Sequence, residues 1–142
     1  MDTSKNGDCQ QQRNKVGFGK QGETIAAEHL VASGWQIVER NWRNGRRAEL
    51  DIIARDPQDV LVFIEVKTRR SEEEDFSRLG FEAITDLKVH RIVSSAAAYL
   101  LAAGLHEPPC RFDVIVLHYK GFHSNTPNLT HVQNAFHRLS WT

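Results

Sequence analysis

Residues 48–67 read AELDIIARDPQDVLVFIEVK, and this stretch decides the fold. Ala48 to Arg55 is an apolar run broken by acids, and Asp56-Pro57-Gln58-Asp59 has the composition of a tight turn. Val60 to Lys67 is a nearly continuous β-branched and apolar run, as expected for a central strand buried on both faces. Strands joined this closely are antiparallel neighbours. In the second, a period of two puts Glu65 and Lys67 on one face with Leu61 and Phe63 behind them. A carboxylate and an ammonium emerging together from a buried strand are costly unless paired or used. For such a pair alone, an ordinary strand-end ion pair is the bland explanation. Asp51 changes the balance, because it lies inside the apolar part of the preceding strand and can approach Glu65 across the ladder. Side-by-side carboxylates repel unless a cation joins them. Oxygen-only ligands without His or Cys suit a hard ion such as Mg²⁺.

Upstream, Gly22 to Ser33 has helical apolar spacing at Ile25, Ala26, Leu30 and Val31, and Gly34 stops it. Glu23 falls near the packed face of this helix, an odd place for a carboxylate unless something needs it there. It is a candidate third acidic ligand. Trp35 to Trp42 reads as a strand, and Asn44-Gly45 predicts a two-residue type I′ hairpin into the next. Downstream, Arg69 to Gly80 is charged and expected to be loop. Glu82 to Ala103 is a second amphipathic helix, closed by Gly104 and Pro108-Pro109. Arg111 to Tyr119 is a further strand and His131 to Phe136 a last edge strand. The expected order is α-β-β-β-α-β with an extra β: an α/β fold, a mixed sheet flanked by helices.

Residues 1–16 are polar and aperiodic and are expected to form a flexible leader, leaving 17–142 as a single domain. The chain has 142 residues, with 40% hydrophobic and 25% charged, which excludes a wholly disordered or fibrous protein. Its 18 basic residues balance 18 acidic ones, so a histone-like DNA coat is excluded while a local basic patch is not. Two cysteines form neither a disulfide framework nor a zinc site. No secretory signal or bilayer-length apolar run is visible, and the expectation is a cytoplasmic protein without a membrane. Gly17 to Gly22 fits GxGxxG, with Glu39 at about the spacing of a dinucleotide site, but that mechanism needs a buried strand feeding the first glycine. Gln10-Gln11-Gln12-Arg13-Asn14-Lys15-Val16 cannot be that strand.

Glu23, Asp51 and Glu65-x-Lys67, on this order of elements, resemble the PD-(D/E)xK nuclease superfamily. More closely, the chain resembles the bacterial YraN family of endonuclease-like proteins. The matching segments are Gly19 to Glu23, Arg40 to Arg43, Glu49 to Ala54, Phe63 to Arg69, Lys88 and Arg111 to Val114. The layout is also similar to that of archaeal Holliday-junction resolvases. One departure is Ala48, where the family usually has Gly. The resemblance implies a restriction-endonuclease-like core with a metal-dependent phosphodiesterase site. Asp51 and Glu65 would bind Mg²⁺ (or Mn²⁺), helped by the Val66 carbonyl, with Glu23 binding directly or through water. Lys67 would orient the attacking water, and Lys88 would contact phosphate. It also implies DNA as the partner, branched or flapped DNA by similarity to the resolvases, and a homodimer by the same analogy.

Arg40, Arg43, Arg46 and Arg47 fall in an acid-free stretch with Trp42 interleaved. Such a cluster can hold phosphates and stack a base, and Arg69 and Arg70 extend it. A solvated hairpin tip is the alternative; beside the carboxylates the DNA reading is preferred. His118, His123, His131 and His137 show no metal spacing and are expected at the surface or an edge. Two functions follow from different classes: a metal-dependent DNA endonuclease, or a non-catalytic DNA-binding or adaptor domain that retains the fold. The complete acidic set with Lys67 favours the first, since a pure binder has no need of it.

Overall fold

The computed structural model describes residues 4–72 and 84–136, with the backbone alone for 4–16. Helix α1 (Ser4–Ala32) is followed by strands β1 (Gln36–Asn44), β2 (Ala48–Arg55) and β3 (Leu61–Ser71). Helix α2 (Asp86–Ala102) then leads to β4 (Cys110–Lys120) and β5 (Asn128–Phe136). The strands lie in sequence order in one sheet. β3 and β4 are parallel and the other neighbours antiparallel. Only a long connection can return the chain to a parallel neighbour, and α2 lies within it. Among the described residues no helix is long and apolar enough to cross a membrane.

The alternation of β3 builds two cores. Val62, Ile64 and Val66 pack with Ala26 and Leu30 of α1 and with Ile52, Ile115 and Leu117. Leu61 and Phe63 face the other way, onto Ile92, Val93, Ala96, Tyr99 and Leu100 of α2. The result is the expected mixed α/β sheet between helices. α1 approaches closely at Gly22: a Cβ there would overlap Thr68 Oγ1 and sit 3.1 Å from Leu117 Cδ1. The glycine therefore lets the helix rest on β3 and β4 and sets the height of Glu23.

Several boundaries differ from expectation. α1 begins at Ser4 and not Gly22; residues 4–16 carry no apolar stripe, which gives periodicity nothing to detect. The GxGxxG stretch is thus inside a helix, which removes the dinucleotide reading. The hairpin closes Asn44 onto Ala48, leaving a loop of Gly45, Arg46 and Arg47, and Gly45 takes the left-handed conformation at φ 67°. Arg69, Arg70 and Ser71 belong to β3, paired to β4 as far as Ser71↔Lys120. Residues 73–80 of the expected loop, and 82–83 of the expected second helix, lie outside the described residues. α2 opens at the cap Thr85, whose hydroxyl accepts from Lys88 N.

His118 is not at the surface or an edge, while His131 lies on the edge strand β5, as expected. His118 is buried and its Nε2 bonds Ser71 Oγ at 2.9 Å; His131 meets Asp113 at 2.8 Å. His137 lies outside the described residues. Asp113 is fully buried and accepts from Arg111 Nε, Arg111 Nη2, His131 Nε2 and Asn134 N. Arg111 also pairs with Asp56, whose other oxygen accepts from Gln58 N and Val60 N, and it covers the Trp35 ring. This network ties the β2–β3 turn to β4 and β5. Burial alone would raise Asp113, but His131, the Asn134 amide and Arg111 outweigh it and hold the carboxyl below its ordinary value. Burial is likewise outweighed at Asp56 by the Val60 amide and Arg111.

Because both folded-state values lie below the unfolded ones, the network's contribution is complete above pH ~4 and is lost as pH falls through the folded values. Asp113→Asn should therefore lower stability at pH 7 by about 3–5 kcal/mol, since it strands part of a buried pair. It should also flatten the acid limb of stability against pH. Urea denaturation between pH 2 and 7 measures both, and an acid limb as steep as that of the unaltered protein would contradict the assignment.

Candidate active site

The site forms where β2 and β3 separate. Their ladder runs from Arg55↔Leu61 to Ile52↔Ile64, while β3 continues along β4. One residue beyond the last pair, Asp51 and Glu65 come side by side. Asp51 Oδ2 accepts from Val66 N at 2.9 Å, so a side chain satisfies a donor of the middle strand at the fork. Burial, and next the neighbouring Glu65 charge, push the Asp51 carboxyl up to about 8, against the Val66 amide.

Glu65 is held differently. Its Oε1 is 3.0 Å from Lys67 Nζ and 3.3 Å from Lys88 Nζ. Lys67 shares its strand face, as period two requires. Lys88 arrives from the first turn of α2, placed by the Thr85 cap. Glu65 and Lys67 are nearly buried, each side chain 12% exposed, whereas Lys88 is 34% exposed.

Glu23 comes from α1, next to the close contact at Gly22. Burial raises its carboxyl, Asn41 and Arg40 oppose, and the charges of Glu49 and Glu65 raise it further. Asn41 has a left-handed backbone, φ 51°, which Asn tolerates better than most residues. Among the described residues Glu23 Oε2 is shielded from solvent and has no hydrogen-bond partner. Glu23, Asp51 and Glu65 are thus within electrostatic reach of one another, yet among the described residues no three acids, histidines or cysteines close into a ready-made metal cage. An orphaned carboxylate oxygen beside two mutually repelling carboxylates, all oxygen donors, nonetheless fits a hard divalent cation.

Asp51 and Glu65 open into a groove of about 800 Å³ between the hairpin and α2. Asp51, Glu65 and Glu49 line it with Arg46 and Arg47 from the hairpin loop and Lys88 and Arg91 from α2. Ser95 Oγ accepts from Glu49 N at 3.1 Å and ties the two walls together. Arg91 was not among the residues expected here; its spacing of three from Lys88, one turn of the same helix face, was the available signal.

The other expected nucleic-acid contacts are engaged elsewhere. Arg40 donates to Thr24 Oγ1 at 2.9 Å. Arg43 pairs with Glu49 at 3.1 Å, both well exposed. The Trp42 ring meets Tyr99 edge-on within the α2-side core. Arg69 bonds its own strand at Thr68 O, and Arg70 bonds Gly121 O and Ser124 O while lying over Phe18 and Tyr119.

Residues 22–117 match the profile of "Uncharacterised protein family UPF0102". A UPF0102 protein of Trichlorobacter lovleyi is 42% identical over 118 residues, covering 83% of this chain and 88% of the relative. One from Chlorobium limicola is 48% identical over 100 residues, covering 70% and 74%. One from Symbiobacterium thermophilum is 44% identical over 119 residues, covering 84% and 95%.

The crowding of carboxylates carries a cost that Asp51→Asn should relieve. Asparagine can still accept from Val66 N but lacks the charge that repels Glu65. With metal chelated, the variant should be as stable as the unaltered protein or more so. A raised carboxyl costs stability as pH rises from its unfolded value near 4 to about 8, so the variant's relative gain should grow over that interval. Thermal melts in EDTA across pH 5–9 measure it. A variant that melts well below the unaltered protein throughout would make Asp51 a structural residue.

Proposed function

This chain belongs to the uncharacterised protein family UPF0102, the YraN family, and we propose that it is a metal-dependent endonuclease acting on DNA. The observation that carries this reading is the Asp51–Glu65 pair at the strand fork, with Lys67 on the same face and a cation-walled groove in front. A Mg²⁺ or Mn²⁺ held by Asp51, Glu65 and the Val66 carbonyl, with Glu23 direct or through water, would supply Lewis acidity to the phosphoryl centre. Lys67 holds the attacking water and meets negative charge as it develops on the phosphoryl oxygens. Arg46, Arg47, Lys88 and Arg91 bind the phosphates on either side. By similarity to the resolvases the substrate is branched or flapped DNA and the working form a homodimer, in the cytoplasm.

A non-catalytic DNA-binding or adaptor role is the second reading. It is favoured by one observation: two lysines already neutralise Glu65. Nicking of flapped, branched and duplex DNA, with Mg²⁺ or Mn²⁺ and with EDTA, separates the two. The expected result is divalent-dependent cleavage that falls at least about a hundredfold in Asp51→Asn, Glu65→Gln and Lys67→Ala. Cleavage persisting in EDTA or in Glu65→Gln overturns the assigned roles. DNA binding with no cleavage of any substrate supports the adaptor.

A further inference from the structure

Lys67 and Lys88 both contact the same oxygen of Glu65, and they are not equivalent. Lys67 is nearly buried and projects from the same strand face, so it has nowhere else to go. Lys88 comes from a different element, is more exposed, and lines the groove as well as touching Glu65. Its long stem lets the ammonium move between these positions without moving the helix.

Two ammonium groups already crowd the Glu65 carboxylate. A divalent cation entering at Glu65 therefore meets both ammonium groups at close range, where like charges repel strongly because the pair is shielded from water. A phosphate in the groove offers Lys88 another partner. We propose that Lys88 is an exchangeable counter-ion for Glu65, which withdraws to a phosphodiester when a nucleic-acid strand enters the groove and thereby opens Glu65 to a divalent cation. This rests on the metal-site reading above and deepens it. Metal and strand binding are then positively coupled, each raising the affinity for the other by the same factor, and the free protein binds metal weakly. Lys88 acts through Glu65 and is a positioning residue in this role.

The experiment is calorimetric titration of Mn²⁺ into the intact protein, alone and with a cleavage-resistant phosphorothioate oligonucleotide. It uses the unaltered chain, Lys88→Met and Arg91→Met. Arg91→Met removes one charge from the same groove without touching Glu65, so it reports the general electrostatic effect. Lys88→Met should bind Mn²⁺ about tenfold more tightly than the unaltered chain, ~1.4 kcal/mol, with a much smaller gain in Arg91→Met. The oligonucleotide should tighten Mn²⁺ binding in the unaltered chain and clearly less in Lys88→Met. Thermal melts establish that both variants fold. Equal tightening in the two variants, or an undiminished oligonucleotide effect in Lys88→Met, overturns the exchange and leaves the metal site standing. Failure of every form to bind Mn²⁺ overturns both.

Discussion

The register of β2 on β3 is the constraint on which the rest depends. Pairing Ile52 with Ile64 and Ile53 with Phe63 interlocks the two cores, because those residues are fully or almost fully buried. A slip by one residue would turn each of these side chains to the opposite face. The same register leaves no choice about Asp51 and Glu65. Once the isoleucines are paired, the next residues along both strands are the two acids, at the point where the strands part. The hydrophobic effect therefore holds together two like charges that would separate in a looser structure, and the core offsets the electrostatic cost.

The two ends of this part of the sheet treat buried acid in opposite ways. Asp113 has no solvent exposure, yet its oxygens receive Arg111, His131 and the Asn134 amide, and the carboxyl stays below its ordinary value. Asp51 has one backbone donor and a carboxylate beside it, and it rises to about 8. Burial is common to both; the partners differ. A structural acid is surrounded by donors, because an unsatisfied one costs stability without return. On the Asp51 side of the sheet, Glu23 Oε2 has no partner among the described residues. That contrast within one sheet distinguishes a site from a structural ion pair more sharply than the acids themselves do.

The alternation of β2 and β3 was legible in the sequence, and with it the antiparallel pairing, the central strand and the common face of Glu65 and Lys67. Each depends only on a period of two and a short turn. What was not legible depends on partners from distant elements. His118 looks like an edge residue until β4 is seen to be covered on both faces. Asp113 is one residue in an apolar strand until Arg111, His131 and Asn134 converge on it. Trp42 reads as a stacking platform because a sequence shows an aromatic among arginines but not the Tyr99 ring it packs on. Arg91 was missed because α2 was read for its apolar stripe, and its polar face gains meaning only when the hairpin loop stands opposite.

Charge counting along a chain also does not show which arginines of the basic hairpin have protein partners. Arg40 bonds Thr24 and Arg43 pairs with Glu49, while Arg46 and Arg47 line the groove with Lys88 and Arg91. The protein as a whole has no net charge, so its long-range attraction for a polyanion is weak and screened within about 10 Å at 0.1 M salt. Local positive charge is nonetheless present in the groove, whose lining sets Arg46, Arg47, Lys88 and Arg91 beside the carboxylates. Positive and negative groups therefore share one surface in a molecule whose total charge is zero.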